Sequence, residues 1–70
     1  MRLHFTQHVI ERMLKRCISE EMVLEALRYP DSTRKAEGKH LYLKQLDVGT
    51  IEVCCERTES NINILTVYWR

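Results

Sequence analysis

The sequence predicts an α+β domain in which two N-terminal helices pack on one face of a three- to four-stranded antiparallel meander. Three observations predict it: apolar residues recur at helical spacing up to Pro30, they alternate with polar residues from Ser32 onward, and turn residues separate the alternating runs. Helices followed by strands sort into two layers, because each layer buries its apolar face against the other. The 70 residues suffice for a single domain, residues 1–70.

The first helix is predicted over residues 7–17. Thr6 is a suitable N-cap, and the apolar positions that follow share one side of a helix. These positions are Val9, Ile10, Met13, Leu14 and Cys17. Before the helix, Leu3 and Phe5 alternate with polar residues, which allows a short additional N-terminal strand.

The second helix is predicted to begin after Ser19 and to end at Tyr29. Ser19 is a good N-cap, and Glu20 and Glu21 then occupy the first turn, where the helix dipole favours negative charge. Tyr29 precedes Pro30, and a residue before proline avoids helical geometry.

Four alternating segments follow. Residues 32–36 are polar and predict an edge strand, and Glu37-Gly38 predicts a turn into the strand around residues 40–44. The next strand covers residues 51–56, and the last, residues 62–69, is apolar on both faces, as in a central or covered strand. We expect one sheet face to stay open and to carry His40, Tyr42, Lys44, Glu52, Cys54 and Glu56.

The composition limits the classes of function. The net charge is +1, but basic residues concentrate in residues 1–17 and 32–46, which would form one positive patch if they met in space. We predict no metal or cofactor, because the histidines and three cysteines lack the spacing of a four-ligand zinc site and two glycines cannot form a phosphate-binding loop. No apolar run approaches the ~20 residues of a membrane span, and no signal sequence is apparent, so we expect a cytoplasmic protein.

One polar stripe of the first helix suggests chemistry. His8, Arg12 and Arg16 are four residues apart and therefore share a helix side, with Lys15 beside them. RNA cleavage without a metal needs proton transfer, which an imidazole can perform, and charge stabilisation on phosphate, which guanidiniums supply. Tyr42 and Lys44 would add an aromatic platform and a cation for the substrate. A solvated helix face would have the same composition, so both interpretations stay open.

The whole chain resembles a small bacterial family of domains of unknown function. The resemblance rests on an opening motif and on the end of the last strand, namely His8-x3-Arg12-Met-x2-Arg16-x-Ile18-Ser19 and Thr66-Val-Tyr68. Cys17 stands where that family usually has glycine or asparagine. The family is distantly similar to BrnT and to RelE/ParE-type toxins. This resemblance implies an α+β fold, metal-independent endoribonuclease ancestry, an antitoxin-like partner, and functional roles for His8, Arg12, Arg16, Thr66 and Tyr42.

We therefore expect a toxin-type endoribonuclease domain that acts on RNA. Two alternatives stay open. A non-enzymatic interaction module would form a homodimer or bind a partner peptide by strand addition at the last strand, through Leu65, Val67 and Trp69. An RNA-binding domain without cleavage would show affinity that falls steeply with salt.

Overall fold

The computed structural model describes residues 2–70 as two helices packed on one mixed sheet. The elements in chain order are β1 (Arg2–Phe5), α1 (Gln7–Lys15), α2 (Glu20–Arg28), β2 (Ser32–Ala36), β3 (Lys39–Leu46), β4 (Gly49–Arg57) and β5 (Asn61–Trp69). The strand order is β1-β5-β4-β3-β2, with β1 parallel to β5 and the other pairs antiparallel. The predicted α+β fold is confirmed, and the optional N-terminal strand is present as a fifth strand.

Both helices begin at the predicted caps. The hydroxyl of Thr6 accepts a hydrogen bond from the Val9 amide, and that of Ser19 accepts one from the Met22 amide. α1 packs on β5, whereas α2 packs on β3 and β4. The core lies between the helices and the sheet and contains residues of both layers. Its members are Val9, Met13, Ile18, Val23, Ala26, Tyr42, Ile51, Val53, Cys55, Ile64 and Val67.

α1 ends two residues earlier than predicted, in a left-handed turn at Cys17. Its φ is +57°, and the amides of Cys17 and Ile18 donate to the carbonyls of Leu14 and Met13. This is the Schellman ending of a helix, which normally places glycine at the left-handed position. The prediction that Cys17 and Leu14 lie on the apolar side is wrong, because both are exposed, Leu14 by 74%.

A bulge in β5 changes which of its side chains face the helices. Cys54 pairs with Thr66, but the next residue, Cys55, pairs with Ile64, so Leu65 is an extra residue. Ile62 and Ile64 therefore share the helix-facing side with Val67 and Trp69, whereas the alternation predicts opposite sides. β5 is a central strand between β1 and β4, one of the two predicted positions for it.

The predicted open face of the sheet is wrong in β3. The two-residue loop after β3 pairs Leu46 with Gly49, and this register sets Tyr42 opposite Val53. Tyr42, and with it His40 and Lys44, lies on the helix-facing side, while Leu41 and Leu43 lie on the other side beside Cys54 and Glu52. We call this second side, opposite the helices, the open face.

The two basic segments do not form one patch, because they occupy opposite ends of the strand order. α1 lies over β5, next to the terminal strand β1, whereas residues 32–46 form β2 and β3 at the other end. Neither helix of the described chain is long and apolar enough to span a membrane.

Candidate functional site

A buried carboxylate lies near the middle of the open face. Glu52 belongs to the central strand β4, and its side is fixed by flanking residues, Ile51 and Val53, which are fully buried beneath the helices. Tyr68 stands opposite Glu52 on β5. Arg70 follows two residues later, beyond the end of the strand, where its amide donates to the carbonyl of Thr50 and so continues the pairing.

Three side chains donate to this carboxylate. The hydroxyl of Tyr68 and Nη1 of Arg70 each lie 2.7 Å from Oε1 of Glu52. Nη2 of Arg34, from the edge strand β2, lies 3.4 Å from Oε2. We call these four residues the Glu52 cluster. Its Oε1 has two close donors, and its Oε2 has one distant donor, so Oε2 is the oxygen more available to an incoming group.

The donors keep Glu52 ionised although only 3% of the residue is exposed. Burial alone raises the pKa of this carboxyl, but the hydrogen bond from Tyr68 and the charges of Arg70 and Arg34 outweigh it, so the pKa lies below its usual value. The same hydrogen bond to Glu52, together with burial, raises the pKa of Tyr68. Near neutral pH the cluster therefore combines a carboxylate, a phenol and two guanidiniums.

The two arginines remain accessible while they hold Glu52. The Arg34 side chain is 65% exposed and the Arg70 side chain 51%. Together with Ser32, Thr33, Leu41 and Leu43 they line a shallow cleft of about 190 Å³ that has Glu52 in its wall. A guanidinium carries five N–H donors, so each arginine retains donors that can bind an anion in this cleft.

The predicted stripe of α1 forms a separate surface. His8, Arg12, Lys15 and Arg16, with Glu11, line a depression of about 320 Å³. Nε of Arg12 donates to Nε2 of His8 at 2.9 Å. Because a guanidinium only donates, Nε2 is the acceptor in this arrangement, and the proton of the neutral ring lies on Nδ1.

Arg16 also connects α1 to the sheet. Its Nη1 donates to the carbonyl of Val67 at 2.7 Å, and its own carbonyl accepts from Nε1 of Trp69 at 2.6 Å. The parallel pairing of β1 ends at Ile64, so Arg16 bonds to β5 beyond it. Residues 61–64 of β5 are paired on both sides, and beyond them Arg16 binds the carbonyl of Val67, so within residues 2–70 the stretch of β5 from Leu65 onward has β4 as its single strand neighbour.

The remaining predicted site residues do not assemble around the stripe. Tyr42 is buried in the core with its hydroxyl accepting from Arg57 at 2.7 Å, so its ring offers no platform for a base. Nζ of Lys44 lies 3.9 Å from Oδ1 of Asp31, with which it forms an ion pair. Thr66 lies opposite Cys54 on the open face, on the same side of β5 as Tyr68, so it shares a face with the Glu52 cluster and not with the α1 stripe.

Cys54 and Cys55 show no sign of activation. Cys55 is fully buried and Cys54 partly buried, and burial raises the pKa of both thiols. Within residues 2–70, no group of three or more His, Cys, Asp or Glu side chains is arranged to hold a metal ion.

Sequence reasoning missed the Glu52 cluster as a unit. The alternation of β4 correctly predicts Glu52 on the open face, but Arg34 and Arg70 come from β2 and from beyond β5, at distances along the chain that no motif spans. One signal was present: a lone carboxylate between apolar residues of a strand, Ile51 and Val53, in a chain whose last residues alternate Thr66, Tyr68 and Arg70 on one side.

Comparisons with known proteins identify the family of this chain. No curated protein and no solved structure matches it. A family model does match, over residues 5–69, which includes the α1 stripe and, apart from Arg70, the Glu52 cluster. The chain therefore belongs to the family described as a domain of unknown function, DUF4258.

Proposed function

We propose that this domain is a metal-independent endoribonuclease of the toxin type, similar to RelE and BrnT proteins, and that its reaction takes place at the Glu52 cluster. One observation carries the proposal: an ionised, buried carboxylate lies with two accessible guanidiniums in a cleft of the open face and accepts a hydrogen bond from a phenol beside it. These groups match what cleavage beside a 2′-hydroxyl requires.

The reaction follows from the positions of the donors. Oε2 of Glu52 accepts the proton of the 2′-hydroxyl while O2′ attacks phosphorus. The bond from phosphorus to the 5′-oxygen then breaks, and this oxygen takes the proton of the Tyr68 hydroxyl. Rotation of the protonated carboxyl group of Glu52 exchanges its two oxygens and brings the captured proton to the position of Oε1, 2.7 Å from the Tyr68 oxygen, which it reprotonates. The products are a 2′,3′-cyclic phosphate and a 5′-hydroxyl, so the proton count balances. Arg34 and Arg70 bind the phosphate oxygens, whose charge grows in the transition state.

A second candidate surface on the same protein is the α1 stripe. Its depression brings His8, Arg12 and Lys15 together, which favours binding of an RNA backbone. Catalysis there is less well supported, because His8 and Arg12 bond to each other and Arg16 donates to the β5 backbone. Thr66, on the open face, is proposed to contact the substrate of the Glu52 cluster.

A cleavage assay in excess chelator separates these assignments. We expect purified protein to cut single-stranded RNA and to leave cyclic phosphate ends, and Glu52→Gln to lower the rate by about 100-fold or more, the usual contribution of a general base. Tyr68→Phe removes only the hydroxyl group and therefore tests whether Tyr68 supplies the proton to the 5′-oxygen. Glu56→Gln, an exposed carboxylate on the same strand, is the matched control and should retain the rate.

Two results would overturn the proposal. Equal rates for Glu52→Gln and wild type, with loss in His8→Ala, would assign catalysis to α1. No cleavage at any concentration, with RNA affinity that falls steeply with salt, would make the domain a binding module. Circular dichroism of each variant shows whether a lost rate reflects a lost fold.

A further inference from the structure

The outer edge of β2 is a main-chain surface that the described chain leaves without a neighbouring strand. β2 is the terminal strand of the sheet, pairs with β3 on one side only, and has all five residues, 32–36, exposed. Such an edge presents N–H and C=O groups at strand spacing and accepts an extended segment of another chain.

The side chains of this edge are basic on both faces of the sheet. Arg34 stands opposite Leu41 and therefore faces the open side, whereas Lys35 stands opposite His40 and faces the helix side. Lys39 begins β3 directly after the turn. A strand added along β2 would therefore have a cation beside it on each side of the sheet. Acidic side chains on both sides of the added strand would each lie near a positive charge.

This charge also argues against a second copy as the occupant. Antiparallel pairing of β2 with β2 of another molecule, centred on Arg34, would place Arg34 directly opposite the same residue of the copy, and like charges directly opposite each other are destabilising. We therefore propose that the edge of β2 binds an extended, acidic segment of a partner protein by strand addition.

The bound segment would lie beside the cleft of the Glu52 cluster. Ser32, Thr33 and Arg34, all from β2, form one wall of that cleft. The contact between Arg34 and Glu52 is the longest of the cluster, at 3.4 Å, so an acidic side chain at the edge can draw Arg34 away while Tyr68 and Arg70 keep Glu52 ionised. Binding at the edge does not depend on RNA cleavage, so it can be tested separately.

The test uses ¹⁵N-labelled protein and three synthetic octapeptides: one of Glu, Val and Thr with four glutamates, the same peptide N-methylated at every interior residue, and one with Lys in place of Glu. We expect the acidic peptide to shift the amide signals of residues 32–36. N-methylation should weaken binding by about tenfold or more, because it removes the main-chain donors but keeps the charge. The peptide with Lys in place of Glu should bind at least as weakly as the N-methylated peptide, because its charges repel Arg34 and Lys35.

Variants locate the contact. Lys35→Glu should weaken binding of the acidic peptide, and Lys35→Ala should weaken it less. Arg2→Glu on β1, at the opposite end of the strand order, makes the same change in net charge as Lys35→Glu and should bind like wild type.

Four results would overturn the inference. Equal binding of the N-methylated peptide would mean that the peptide is held by electrostatic attraction and not by main-chain hydrogen bonds. Amide shifts confined to α1 or β1 would mean that the peptide binds away from the edge of β2. Concentration-dependent shifts of residues 32–36 without peptide would make a second copy the occupant. RNA bound in the cleft also shifts Arg34, so the deciding signal is Lys35, which faces the helix side: a larger shift of Lys35 with an RNA oligonucleotide than with the acidic peptide would assign the edge to RNA.

Discussion

At the scale of single residues, Glu52 couples the stability of the fold to pH. Its pKa is lower in the folded chain than in the unfolded chain, because Tyr68, Arg70 and Arg34 favour the ionised form more than burial opposes it. A lowered pKa stabilises the folded state at pH values above the pKa of the unfolded chain, ~4.3. This contribution is lost as the pH falls through the pKa of the folded chain.

The prediction concerns the difference between wild type and Glu52→Gln. At pH 7 we expect the variant to lose about 1–2 kcal/mol of unfolding free energy, a discounted figure because both arginines are largely exposed. The difference should shrink as the pH falls from 6 to 3, as measured by urea denaturation with Trp69 fluorescence. A constant difference, or the same pH dependence in Glu56→Gln, would contradict this role for Glu52.

At the scale of elements, α1 ends at a non-glycine residue, Cys17, in a left-handed conformation that lowers the stability of the fold. Cys17 has a φ of +57°, a conformation that disfavours a side chain, and the Schellman hydrogen bonds of Cys17 and Ile18 fix it there. We expect Cys17→Gly to raise the unfolding free energy by about 0.5–1 kcal/mol, the balance between relieved strain and a more flexible unfolded chain.

The matched control for this change is Cys17→Ala, which removes the thiol but keeps Cβ. It should stay within about 0.5 kcal/mol of wild type, since Cys17 is exposed. Thermal or urea unfolding measures both variants. A glycine variant less stable than the alanine variant would mean that the left-handed turn does not strain the helix end.

The elements also mark where prediction from sequence succeeds and fails. Caps, turns and alternation are local signals, so Thr6, Ser19 and the Glu37-Gly38 turn were predicted correctly. The side of Tyr42 depends on the register set by a two-residue loop, and the side of Ile64 depends on a bulge opposite Cys54 and Cys55. Alternation within one strand indicates neither the register nor the bulge, so the candidate site could not be assembled from it.

At the scale of the whole molecule, the helix layer covers one side of the sheet and leaves the other to the Glu52 cluster. The α1 stripe and the basic edge strand β2 belong to different ends of the strand order, so the two positive surfaces can bind different partners. We propose that the phosphate to be cleaved binds on the open face, at the Glu52 cluster.

The most direct test of that claim maps a bound RNA that cannot react. A short oligonucleotide with 2′-O-methyl groups lacks the attacking hydroxyl, and its titration into ¹⁵N-labelled protein reports contact without cleavage. We expect the largest amide shifts at open-face positions, namely Arg34, Glu52, Thr66, Tyr68 and Arg70. Shifts confined to residues 8–16 of the α1 stripe, or no saturable shift at low salt, would contradict it.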